Sequence, residues 1–489
     1  MGFTMFSADH PAQFCAQRGF VMKRTTSCLL ALLALSTTLV HAQQRKFNHV
    51  VIIVQENRTV DNLFGSNPTF EPGVDIATSG LNSLGQQIPL TPVALASCYD
   101  LNHAHVAFEQ MYDNGKMDGA DKIRVGASET CQVPANPQFK FVDNSKGILD
   151  PYFLLASQYG FANRMFQTNQ GPSFPAHQFL ISGTSAPSTF STLFAAENPS
   201  TINTAGCLAP ATETVTLIDP KGKETTKIYP CFEHPTMTDL LDDATPAIGW
   251  KYYTPSAGSI WTAPNAIAHM CVPQVQGGNL VCAGTAWVDH VVIPQSNVLT
   301  DIQNCRLPPV SWIIPDGTAS DHARTNKGLG PAWVASIVNA IGTANHCDTF
   351  GYWRDTAILI TWDDWGGWYD HVPPYRIGQP GGWGSGYVYG FRVPLLVVSA
   401  YTPTGFVSND PHDFGSILNF LETNFAQKGI PLGPIGPGTY ADVYAKDLLT
   451  FFTLQTPRQF QNIPAAHPAE FFLKQTGPPV PPDDDGDDD

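Results

Sequence analysis

Three places in the chain release acids, amides and hydroxyls directly after a short apolar run. Glu56-Asn57 follows Val50-Val51-Ile52-Ile53-Val54-Gln55, Asp316 through His322 follows Val310 to Ile314, and Asp363-Asp364 follows Thr356 to Trp362. Such runs, rich in β-branched residues, have the pattern of strands buried on both faces. Polar residues released at their ends arrive at the carboxyl edge of a sheet, where open α/β sheets bind ligands. Two adjacent carboxylates there repel each other, and burial penalises each. A cation removes both penalties. An all-oxygen set of Glu56, Asn57, Asp363, Asp364 and a hydroxyl suits one hard divalent ion. The plainer reading stays open: Glu56 and Asn57 begin a loop or cap a helix, and Asp363 and Asp364 cap the turn at Gly366-Gly367 and face water.

Gly171-Pro172-Ser173 reads as a sharp turn, because Gly permits close backbone approach and Pro fixes the geometry. A hydroxyl presented there could be a metal-activated nucleophile or purely structural. It is not the Gly-x-Ser-x-Gly elbow of serine hydrolases. Of fourteen histidines, His103, His105, His177, His290, His322 and His371 fall in polar junctions. An imidazole there can bind phosphate oxygens or protonate a leaving group, and each taken singly is equally an ordinary surface or core residue. Trp362, Trp365, Trp368 and Tyr369 read either as packing around Gly366-Gly367 or as the wall of an apolar or cation-binding pocket.

To bring these groups together, the strands must lie side by side. Ala247 to Tyr253, Val393 to Val398 and a short Phe161 to Phe166 add further strands. Leu149 to Gln158, Pro331 to Ile341 and Phe414 to Phe425 have helical spacing, and Ser182 to Ala195 is a further helix candidate. Strands alternating with helices predict an α/β fold whose mostly parallel central sheet is covered by helices on both faces. Long loops, as at 66–97, and a small irregular insertion at about 197–288 interrupt it.

Lys23-Arg24, the apolar run Cys28 to Val40 and the small-residue site Val40-His41-Ala42 read as an export signal over residues 22–42. Residues 1–21, ahead of Met22, read as outside the natural product. The run is short for a bilayer, no later segment is apolar enough to span one, and a retained N-terminal anchor is the alternative. Eight cysteines remain, an even count that suits disulfides in an exported chain. Pairing in order of sequence, 98–131, 207–231, 271–282 and 305–347, closes modest loops. The formal charge is −16. Residues 1–42 hold Asp9 against Arg18, Lys23 and Arg24, which puts the remainder near −18. That balance argues against nucleic acid and against simple capture by anionic membranes. The Pro- and Asp-rich stretch 474–489 reads as a disordered solvated tail.

Taken in order, four motifs resemble the bacterial phosphoesterase family of phosphatidylcholine-type phospholipases C and acid phosphatases, within the alkaline-phosphatase-like superfamily. They are Glu56-Asn57-Arg58-Thr59-Val60-Asp61-Asn62-Leu63-Phe64-Gly65; Gly171-Pro172-Ser173-Phe174-Pro175; Ser311 to Asp316 before Asp321-His322; and Trp362 through Pro374. Ser416 to Glu422 fits the family's C-terminal helix, and the resemblance runs from about residue 47 to 455. It implies that Glu56, Asn57, Ser173, Asp363 and Asp364 bind one divalent ion, whether Ca, Mg, Mn, Fe or Zn. It implies that Ser173 is the nucleophile, with a covalent phosphoseryl intermediate, and that His103 and His322 contact the phosphoryl group. His290 and His371 are weaker substrate contacts. The substrate would be a small phosphate ester or a phospholipid. One departure is Asp363-Asp364-Trp365-Gly366-Gly367, where many phospholipase-like members read Asp-Glu-His-Gly-Gly; the paired Asp is closer to the acid phosphatase branch. Two other readings remain: a sulfatase or phosphodiesterase of the same superfamily, and an exported binding protein without turnover.

Overall fold

The computed structural model describes residues 47–374, 389–475 and 477–482. The export-signal reading and the six terminal aspartates lie outside the described residues. Eight strands form the central sheet: β1 His49–Gln55, β2 Gly160–Ala162, β3 Trp250–Tyr253, β4 Val291–Val292, β5 Val310–Ile313, β6 Thr356–Trp362, β7 Leu395–Ser399 and β8 Phe406–Ser408. Their order across the sheet is β4-β3-β5-β1-β6-β7-β2-β8. The β4-β3, β3-β5, β5-β1, β1-β6 and β2-β8 pairs are parallel. Only β7 breaks the pattern, running antiparallel to both β6 and β2.

β1 lies at the heart of the fold. Its seven residues are all buried, as a β-branched run paired on both edges requires. It matches β6 along its whole length, from His49 opposite Thr356 to Gln55 opposite Trp362, and β5 from Val50 to Ile53. Each Val or Ile side chain so buried contributes roughly 1.5–3 kcal/mol. Because β5, β1 and β6 are neighbours and parallel, the residues that follow them emerge at one edge.

The helices used below are α1 Val60–Phe64, α2 His105–Tyr112, α3 Asp150–Gln158, α4 Ser173–Ser182, α5 Met237–Asp243, α6 Asn297–Gln303, α7 Gly330–Thr343 and α8 Phe414–Asn424. Six of them fall into two packed groups, α3 with α6 and α7, and α4 with α5 and α8. That is the arrangement of helices on the two faces of a sheet.

The helix expected over Ser182 to Ala195 is not there. α4 starts earlier, at Ser173, and stops at Gly183, whose φ of 69° places it in the left-handed region and whose N–H bonds back to Phe179. Pro175 lies in the first turn, where proline removes no helical hydrogen bond. After Gly183 the chain runs as loop into the short strand Phe194–Ala195. Inside the expected insertion that strand pairs with a hairpin, Val215–Ile218 with Glu224–Ile228, and a second hairpin joins Pro273–Gln276 to Asn279–Cys282. The expected strand at Phe161 to Phe166 is shorter, continuing only as single bridges at Met165 and Phe166.

All four disulfides are present in the expected pairing, 98–131, 207–231, 271–282 and 305–347. Val480 accepts a hydrogen bond of 2.9 Å from the Gly317 N–H, so residues 477–482 return to the loop after β5. No helix among the described residues is long and apolar enough to cross a membrane.

Candidate active site

Three strand ends and one helix start converge. Glu56 and Asn57 leave β1, Asp363 and Asp364 leave β6, and the loop after β5 reaches them through the Glu56 N–H, which donates to Ser320 O at 2.8 Å. Asp363 N donates to Gln55 O at 2.9 Å, and Arg58 N to Asp364 O at 3.0 Å. Ser173 is the first residue of α4, and its hydroxyl donates to Asp364 Oδ2 at 3.1 Å. Asn57 N donates to Asp363 Oδ1 at 3.1 Å. The structure thus brings together Glu56, Asn57, Ser173, Asp363 and Asp364, all but fully buried.

Local backbone explains why these residue types are needed. Asn57 has a φ of 62°, a conformation Asn tolerates better than most residues. Gly366 and Gly367 both have positive φ, and a Cβ on Gly366 would collide with Asn57. The glycine pair therefore lets the segment after β6 fold down onto the end of β1. The turn before Ser173 is wired by side-chain amides. Gln167 Nε2 donates to Asn169 O and Gly171 O, and Asn169 Nδ2 to Gly171 O and Pro172 O, at 2.8 to 3.1 Å. The helix start beneath Ser173 favours anions.

His103 stands beside Asn57. Its Nδ1 faces the Leu101 carbonyl at 2.8 Å and so carries the proton, which leaves Nε2 to accept from Asn57 Nδ2 at 3.1 Å. That bond turns the Asn57 Oδ1 the other way, where it is buried with no hydrogen-bond partner. His322 is built alike, with Nδ1 donating to Ala323 O at 2.7 Å, and its ring centre is 6.0 Å from that of His103.

His177 completes the cluster; the sequence places it among the six polar-junction histidines but gives it no role at the metal. It lies one turn after Ser173, and its Nε2 is 3.2 Å from Glu56 Oε1 and 3.7 Å from Asp363 Oδ2. Burial pushes its ring down to about 4, against the opposing pull of Asp363, so it is neutral. The i, i+4 spacing from Ser173 is the signal that would have placed it at the metal group, once 173–182 is read as helix. Glu56, His177 and Asp363 offer ligand atoms within 4.8 Å of one another.

Two expected substrate contacts lie elsewhere. His290 Nδ1 bonds to Trp250 O and its ring stacks on Trp250 at 4.2 Å; Trp250 begins β3, so His290 is at the amino end of the sheet. His371 has Nδ1 on Asp61 Oδ2 at 2.7 Å and Nε2 on Asp75 Oδ1 at 3.1 Å. Trp362, Trp365 and Trp368 are fully buried packing residues. Arg58, also buried, lies 5.0 Å over the Trp368 ring and donates from Nε and Nη2 to Asp321 O. Asp321 itself takes the Tyr152 hydroxyl at 2.7 Å, and burial pushes its carboxyl up to about 6.

The donor set fits a divalent cation on two counts. Three carboxylates meet in a buried space, and Asp363 Oδ2 and Asn57 Oδ1 are buried oxygens without a hydrogen-bond donor.

A family profile described as "Phosphoesterase family" matches residues 47–428. Phospholipase C B of Mycobacterium tuberculosis (strain ATCC 25618 / H37Rv) is 24% identical over 458 residues, covering 84% of this chain and 78% of that protein. Hemolytic phospholipase C of Pseudomonas aeruginosa is 24% identical over 463 residues, covering 85% of this chain and 57% of that protein. A solved alkaline phosphatase superfamily protein from Vibrio parahaemolyticus aligns at 11% identity and a TM-score of 0.31, over 78% of this chain and 66% of that one; this last likeness carries no weight.

Proposed function

The chain belongs to the phosphoesterase family and is a hydrolase of phosphoester bonds, and we propose that it works through Ser173 as nucleophile with a divalent ion held by Glu56, Asn57, Ser173, Asp363 and Asp364. The observation that carries this reading is the Ser173 hydroxyl bonded to Asp364 inside a buried group of three carboxylates. When bound, the ion supplies Lewis-acid stabilisation of the serine oxygen and the phosphoryl charge.

The chain's own residues do the rest. Asp364 accepts the Ser173 proton in a hydrogen bond and orients the oxygen. The oxygen attacks phosphorus, the ester oxygen leaves, and a phosphoserine forms; water then attacks the phosphorus and restores the hydroxyl. The start of α4 directs its positive end at the phosphoryl oxygens. His103 fixes Asn57, with its Nε2 taken by that amide, so protonation of the leaving oxygen falls to His322. His322 enters this step as the imidazolium, keeps its Nδ1–H on Ala323 O, gives up the Nε2 proton, and regains one from the water that attacks the phosphoserine. His177 holds the Glu56 carboxylate in place.

Two features support an acidic working range. Burial holds Asp321 up to about 6 and Asp413 up to about 7. A raised carboxyl stabilises the fold fully below its unfolded value, and that contribution is lost as pH rises through 6 to 7. The four disulfides support an exported protein in an oxidising compartment. The substrate is a small phosphate ester or the headgroup ester of a phospholipid. The test is a panel of a phosphomonoester, a phosphodiester and phosphatidylcholine vesicles at pH 5 and pH 8, with and without chelator. The reading expects chelator-sensitive turnover of at least one ester, lost in Ser173→Ala. Full activity of Ser173→Ala would overturn it.

A further inference from the structure

His105 is a buried imidazole that the reaction does not use. Its Nδ1 lies 3.0 Å from the carbonyl oxygen of Gln170, and its Nε2 lies 2.8 Å from the carbonyl oxygen of Gly222. The ring thus stands between two backbone acceptors.

The two carbonyls belong to different parts of the chain. Gln170 opens the turn that leads through Gly171-Pro172 to Ser173. Gly222 is at the tip of the Val215–Ile218/Glu224–Ile228 hairpin. That tip is ordered from within, since Asp219 Oδ1 accepts from Lys221 N and Lys223 N. The inner hairpin strand pairs with Phe194–Ala195. Just beyond that strand, a Cβ on Gly171 would strike the Ala196 carbonyl, and Asn198 Oδ1 accepts from Phe174 N at 2.9 Å. The small sheet therefore grips the Ser173 turn twice, through 196–198 and through His105. Its outer strand, Glu224–Ile228, is exposed along nearly its whole length, so little apolar burial holds the tip, and the His105 bonds are its polar tie.

The charged groups around the ring are few. On its own helix, Glu109 Oε1 is 3.7 Å from Nε2. On the 194–198 segment, Glu197 Oε1 accepts from the His105 backbone N–H at 2.8 Å. On the hairpin, Lys221 and Lys223 flank Gly222 and are exposed, with Asp219 beside them. Two residues back, His103 is the neutral tautomer described above.

We propose that His105 is a positioning residue: its ring latches the 215–228 hairpin onto the Ser173 turn. The effect on turnover rests on Ser173 being the nucleophile; the latch itself is readable without turnover.

The experiment is amide hydrogen exchange on the disulfide-intact protein, with residues 356–362 as the core control. In His105→Phe, which can still stack on Phe108, exchange over 219–228 is about tenfold faster than in the wild type, the scale of one lost hydrogen bond, while the core stays protected. In that variant kcat on a phosphomonoester falls about tenfold with KM little changed. A His105→Phe hairpin as protected as the wild type overturns the latch. If the exchange results hold while Ser173→Ala keeps full turnover, the latch stands and the nucleophile assignment falls.

Discussion

Two carboxylate clusters hang from the same two chain segments and are neutralised in different ways. Glu56, Asp363 and Asp364 sit directly at the ends of β1 and β6. Asp61 and Asp370 follow them by about six residues. In the second cluster a protein cation stands between the acids. Arg392 donates from Nε to Asp370 Oδ1 at 2.9 Å and from Nη2 to Asp61 Oδ1 and Asp370 Oδ2 at 3.0 Å. Burial lowers the His371 ring, but the Asp61 hydrogen bond and charge outweigh it and raise it. Arg164 pairs with Asp75 at 2.6 Å. In the first cluster the acids meet a neutral imidazole, a serine hydroxyl and backbone N–H groups, and an Asp363 oxygen is left without a donor. A cluster with a built-in guanidinium is a clamp, fixing α1 to the loop after β6. A cluster open to an outside cation is a site.

The sharpest way to break this distinction is to remove charge from each cluster in turn. Asp363→Asn with Asp364→Asn is expected to lower phosphoesterase activity by about 10⁴-fold or more, the scale of losing a catalytic unit. It should leave the metal-free fold as stable as the wild type or more so, because repulsion between buried acids is relieved. Denaturant unfolding in chelator checks the second half. Arg392→Met is expected to do the reverse. Leaving Asp61 and Asp370 buried without their cation costs about 3–5 kcal/mol of stability, read as a lowered urea midpoint, with bound metal per folded molecule unchanged.

Gly366→Ala sharpens the comparison at lower cost. The methyl strikes Asn57 and the residue is held at a positive φ, so the cage is displaced while the clamp is untouched. Metal affinity should fall about tenfold, and stability by about 1–3 kcal/mol, the cost of a strained backbone position; metal titration followed by calorimetry reads both. The smallest effect concerns neither cluster. Asp413 caps α8 through Ser416 N and takes the Thr168 hydroxyl at 3.2 Å, and burial pushes it up to about 7. Its stabilisation is present at pH 5 and lost as pH rises through 7. Asp413→Asn keeps the cap, and the difference in Tm between pH 5 and pH 8 should narrow by about 2 °C.

Much of this was legible in the sequence because it rests on pattern. Buried β-branched runs ending in polar pairs marked β1, β5 and β6 and, with them, Glu56, Asn57, Asp363 and Asp364; Ser173 came from the Gly-Pro-Ser turn and the family resemblance. Short loops between successive cysteines marked the disulfides. Other features depend on tertiary context. β6 and β7 are equally apolar, and nothing in their composition says that β7 runs antiparallel. Gly171-Pro172-Ser173-Phe174-Pro175 reads as a turn, yet its last three residues are the first turn of α4, and that misreading left His177 as one polar-junction histidine among six rather than a neighbour of Glu56. His371 belongs to a motif beside the cage, but its partner carboxylates, Asp61 and Asp75, lie some three hundred residues away in sequence. The insertion gave no periodicity, so its grip on the Ser173 turn became visible only when His105 and Gly222 were seen together.

The central claim is that the cage is a metal site that the reaction needs. Elemental mass spectrometry of purified wild-type and Asp363→Asn/Asp364→Asn protein tests it most directly. The account predicts about one divalent ion per wild-type chain and none retained in the double variant. Equal metal content in the two proteins would contradict it.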